Sequence, residues 1–137
     1  MGRLNQSHQH DWPFTTAPKV HREFFASEGA ADTGVEYSYL FPTTRVFELA
    51  VGVTNNYCYG HCHTLGSRPP RPLIYLRPST FFDISDEGGL VLAATLLDRE
   101  DSANVKTRLL GLDLAYKNRV GRRLKWLVES ELYHQAQ

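Results

Sequence analysis

Cysteine is nearly missing from this chain of 137 residues: Cys58 and Cys62 are the only two. They lie four positions apart in one segment, which is no framework for a disulfide-stapled secreted domain, and a reducing compartment is the expectation. Also missing is an uninterrupted apolar run of the ~18–20 residues that a spanning helix requires. The opening MGRLNQSHQHDWPF lacks the basic-then-apolar layout of a signal peptide. Together these absences predict a soluble, cytosolic protein. Internal repeats are absent too, and so is net charge, with fifteen basic residues cancelling fifteen acidic ones.

What is present suits one globular domain, since 42% of the residues are hydrophobic and 12% aromatic. Residues 1–19, rich in Gln, His and Pro, read as a flexible arm, and 20–137 as the domain. The charges are segregated. Asp83, Asp86, Glu87, Asp98, Glu100 and Asp101 face Arg99 alone in one stretch, while seven bases face only Asp113 between Val105 and Lys125. Val35–Phe41 and Phe47–Val53 alternate apolar and polar residues, which predicts two half-buried strands. Asn55-Asn56 reads as a hairpin turn with Tyr57-Cys58-Tyr59 returning, and Leu73–Leu76 as a short further strand. Beyond this the pattern predicts helices. Ser85 or Asp86 caps one carrying Leu90, Val91, Ala94 and Leu97. Asp101 or Ser102 starts another with Val105, Leu109, Leu112 and Tyr116 inward. A third stripe holds Val120, Leu124, Leu127, Val128 and Leu132. Strands first and helices last indicate an α+β domain, an antiparallel sheet packed against helices.

Two constellations bear on chemistry. Cys58, His61, Cys62 and His63 are clustered, and with His8, His10, His21 or His134 they make a zinc site thinkable, although structural zinc usually takes two separated ligand pairs. Cys58 or Cys62 with His21 would supply a thiol nucleophile and its base, although a Tyr/Gly-rich strand does not lower a thiol pKa as a helix N-terminus does. The basic residues Lys117, Arg119, Arg122, Arg123 and Lys125 flank the last apolar stripe, and form a candidate surface for anionic lipid, RNA or an acidic protein.

The segment Glu36–Phe41 with Arg45–Val53 resembles the H-box region of the lecithin:retinol acyltransferase and H-Ras-like suppressor family. Glu48 falls where that family has its first histidine, Leu49-Ala50-Val51 matches its Trp-Ala-Val, and His61 lies near its second histidine. Asn104-Val105-Lys106-Thr107-Arg108 is the counterpart of the family's Asn-Cys-Glu-His-Phe, with Val105 in place of the nucleophile. The resemblance implies an NlpC/P60-like, papain-like acyltransferase-type fold without its activity, needing no cofactor. It extends to picornaviral 2A proteins of the H-box/NC type, kobuviruses included, and Gly2 and Gln137 look like products of a viral protease cutting between Gln and Gly. The resemblance therefore implies a non-enzymatic protein of the host-cell cytoplasm. Such a protein would support viral RNA replication, on remodelled membranes, through contacts with other non-structural proteins and host factors. The alternative is an active cysteine-dependent lipid hydrolase or acyltransferase using Cys58 or Cys62.

Overall fold

The computed structural model describes residues 19–25, 32–56, 69–120 and 124–136. Among the described residues a short helix, α1 (Lys19–Phe25), precedes six strands: β1 (Gly34–Phe41), β2 (Val46–Thr54), β3 (Leu73–Ser85), β4 (Gly88–Glu100), β5 (Lys106–Val120) and β6 (Leu124–Ala136). They form one antiparallel sheet in chain order, each strand paired with the next. The α+β expectation is overturned, because the three stretches read as helices are β4, β5 and β6.

The reason lies in what each face of these strands carries. Leu90, Leu92, Ala94 and Leu96 point to one side of β4, and Gly89, Val91, Ala93, Thr95 and Leu97 to the other. With apolar groups on both sides, a helical stripe can be drawn through residues that belong to opposite faces. The supposed caps perform turn chemistry instead. The Asp101 carboxylate accepts the backbone N–H groups of Ala103 at 2.8 Å and Val105 at 2.9 Å. Asn104 adopts a positive φ of 63°, which its short polar side chain tolerates, and the chain reverses into β5. Asp86 likewise sits in the two-residue turn between β3 and β4.

β1 and β2 form over the ranges read from the sequence, but only β2 is half-buried, β1 being exposed at every position except Phe41; β3 begins as expected at Leu73 but runs on to Ser85. Residues 57–59, expected to return as a strand, lie outside the described residues, and both sides of β2 are taken by β1 and β3. The expected arm is likewise outside them, except Lys19, which opens α1. Asn56 is buried with a positive φ of 57° and donates its amide hydrogens to the carbonyls of Glu100 at 2.6 Å and Arg71 at 3.2 Å, tying β2 to the entrance of β3 and the exit of β4.

Since the sheet is a meander, its connections alternate between two ends. Residues 42–45 and 86–87 make short turns at one end, where three residues also separate β5 from β6, while β2 leads to β3 and β4 to β5 at the other. Glycine matters where a neighbouring ring lies flat on the backbone. A Cβ on Gly52 would stand 2.2 Å from the ring of Tyr75, its direct partner on β3, whose hydroxyl donates to the Glu36 carboxylate. Gly52→Ala is therefore expected to displace that ring and destabilise the fold by about 1–3 kcal/mol, the usual cost of overpacking. Urea unfolding of the variant beside wild type measures it, and an unchanged midpoint would show that the ring has another place to go.

Candidate functional site

The two faces of the sheet are unlike, and the unusual one is outside. Following the register from strand to strand, one row reads Tyr37, Val51, Leu76, Leu96, Leu110. The next reads Tyr39, Leu49, Pro78 on the first three strands and Ala94, Leu112, Leu132 on the last three. From these rows to the pair Val120 and Leu124 at the short-turn end, the strand positions of this face hold no Asp, Glu, Lys or Arg. Its side chains are nonetheless exposed: Leu96 by 52%, Leu112 by 55%, Trp126 by 55% and Leu132 by 67%. A dozen such groups amount to roughly 1,000 Å² of apolar surface, where a soluble monomer shows a few hundred.

Aromatic residues on this face gather toward the short-turn end. The Phe41 ring contacts those of Tyr39 at 4.9 Å and Phe47 at 5.2 Å, and Phe82, Tyr116 and Trp126 lie toward the same end on β3, β5 and β6. Arg45, in the turn between β1 and β2, stands 5.8 Å from the ring centre of Phe82. Toward the opposite end the face becomes charged, at the paired Asp98 and Arg108.

The other face carries the charged residues together with the buried apolar cluster, and all the buried side chains of the sheet lie on it. Arg77 of β3 reaches across β4 to Asp113 of β5 at 3.5 Å, with side-chain exposures of 12% and 5%. Small residues between them, Ala93 and Thr95, leave the room. Tyr133 lies over Gly111, whose added Cβ would stand 2.8 Å from the ring, and its hydroxyl donates to Glu131 at 2.8 Å. Toward the long-loop end Phe25 of α1 is fully buried in a cluster with Leu73, Tyr75, Leu97 and Leu109, edge-on to Tyr133 at 5.1 Å. Toward the short-turn end a cavity of about 670 Å³ opens between Phe81, Asp83, Ala115, Lys117, Arg119 and Lys125. The buried ion pair and the cavity thus lie on the same side of the sheet as α1, with Tyr133 between the pair and Phe25.

The candidates from the sequence are scattered over this frame. Glu48 is on the polar face of β2 near the short-turn end, paired with Leu40 and Ser79. Asn104 and Val105 are in the turn between β4 and β5 at the other end, so the sheet does not bring Glu48 and Val105 together. His61, Cys58, Cys62, Arg122 and Arg123 lie outside the described residues, as does the side chain of His21. Lys117, Arg119 and Lys125 are brought together, Arg119 directly opposite Lys125, but on the charged face of paired strands rather than beside an amphipathic helix. Among the described residues no group of three His, Cys, Asp or Glu side chains is placed to hold a metal ion. Sequence reasoning missed Arg77 and Asp113. Their signal was a charge alone among apolar neighbours at a period-two position, as in Leu112-Asp113-Leu114.

No described helix is long and apolar enough to cross a membrane. No family model matches the chain, and neither the curated proteins nor the solved structures yield a match.

Proposed function

We propose that this sheet is part of the wall of a transmembrane β-barrel, with its apolar face toward lipid and its polar face toward the lumen. The observation that carries the reading is the inverted polarity. In a water-soluble sheet packed on one side the apolar face is covered and the charged face is wet, whereas here Arg77 and Asp113 are buried and Leu112 and Leu132 are exposed. Barrels in membranes alternate apolar outward and polar inward and carry aromatic girdles where the wall meets the headgroups, and they join their strands by short turns on one side and longer loops on the other. The aromatic group near the short turns fits such a girdle. β3, β4 and β6 have thirteen residues each and β5 fifteen, against the ~9–11 that a tilted strand needs to cross.

Six strands are fewer than the eight of the smallest single-chain membrane barrels, and the outer sides of β1 and β6 have no strand partner among the described residues. Unpaired backbone groups in hydrocarbon cost several kcal/mol each, so further strands would complete the wall, from the same polypeptide or from other copies. The wall reading assigns a passive role, a barrier or passage, and gives Lys117, Arg119 and Lys125 to the lumen. The sheet-and-helix arrangement behind the viral reading is overturned by β4 to β6, so the H-box letters are left without the fold they implied.

Partitioning tests the proposal. The full chain is expected to remain in carbonate-washed membranes, or to refold into detergent micelles with a β-type circular dichroism spectrum, and to aggregate without detergent. A folded, water-soluble monomer that ignores lipid vesicles would overturn it.

A further inference from the structure

Two adjoining cavities lie where the apolar face turns charged, at the long-loop end. The larger, about 440 Å³, is lined almost wholly by carbon: Val51, Ile74, Leu76, Leu96 and Leu110, with His134 at its margin. The smaller, about 180 Å³, is bordered by Arg71, Lys106 and Arg108 together with Glu100. Ile74, Asp98 and Arg108 border both, so the two lie side by side. From these residues we propose a lipid site, in which an acyl chain lies in the larger groove and the phosphate of the same molecule meets Arg108 and Lys106. This rests on the membrane-wall reading and deepens it.

The chemistry of the lining selects the occupant. A groove of branched aliphatic side chains offers an acyl chain dispersion contacts and no polar partner. Its charged mouth sits where the outer rows change from Leu96 and Leu110 to Asp98 and Arg108, the depth at which a bilayer changes from hydrocarbon to headgroup. Asp98 meets the Arg108 guanidinium through Nε at 3.6 Å, which leaves the fork of terminal nitrogens to face a phosphate. Lys106 sits one outward position further along β5, past the apolar band. A second protein strand would meet the same groove with backbone groups that its aliphatic lining cannot satisfy.

Native mass spectrometry of the full chain in neutral detergent provides the test. The chain is titrated separately with phosphatidylglycerol, with a diacylglycerol of the same chains and with inorganic phosphate. A one-to-one adduct with phosphatidylglycerol is expected. Lys106→Gln with Arg108→Gln should weaken it by about thirty-fold, from two cations near an anionic headgroup. Ile74→Trp, which fills the groove and leaves every charge in place, should abolish it. Equal retention of diacylglycerol and phosphatidylglycerol, or an adduct indifferent to both variants, would overturn the site. So would full competition by inorganic phosphate, which would mark a plain anion site. These outcomes are separable from failure of the wall reading, since a chain that inserts into membranes yet shows no such preference loses only the lipid site.

Discussion

Leu112→Arg is expected to destabilise the membrane-inserted protein by about 2–4 kcal/mol, the cost of a cationic side chain on the lipid face near the bilayer midplane. Leu112 lies midway along β5, opposite Leu132 on one side and Ala94 on the other, and is 55% exposed. Val120→Arg, on the same face but at the short-turn end, should cost only about 0–1 kcal/mol, because there the arginine reaches headgroups and water. The contrast between the two positions is the diagnostic. If the apolar face met water, both substitutions would fall within about 0.5 kcal/mol of wild type and would improve solubility. Urea unfolding of each variant in lipid vesicles separates these outcomes.

Arg77→Met is expected to cost about 3–5 kcal/mol, because the Asp113 carboxylate stays buried after its cation is removed. Replacing both, Arg77→Met with Asp113→Leu, should restore most of the loss, since a buried ion pair and a well-packed apolar pair are often of similar stability. The double variant would then lie well above the sum of the single ones, a coupling that unfolding of all four proteins measures. Additive losses would mean that the two charges are solvated separately, and that the polar face is open to water at its centre.

Legibility in the sequence tracked how sharply each strand divides its two faces. In β1 and β2, Glu36, Ser38 and Glu48 stand between large apolar neighbours, so the period of two is visible without the structure. In β4 the polar face is nearly apolar too, through Val91, Ala93 and Leu97, and Leu90, Val91, Ala94 and Leu97 fall into helical spacing by coincidence. Gly89 and Gly111, costly inside helices, and the unbroken set Leu110, Leu112, Leu114 were the signals for strands. The candidate site was less legible than the fold. Lys117, Arg119 and Lys125 stood out as a basic run, but their meeting on one face depends on pairing β5 with β6.

The residue order alone determined which side chains share a face, because the strand period is two wherever the strand lies. It therefore already placed Leu110, Leu112 and Leu114 on one side and Asp113 on the other. Which of those sides is interior was decided only by the assembled sheet, since burial is set by neighbours far away in the chain. Gly52 and Gly111 admit the rings of Tyr75 and Tyr133, and the small Ala93 and Thr95 let Arg77 reach Asp113. These residues let Arg77, Asp113 and the two rings settle together on one face, and the leucines of β5 stand on the other.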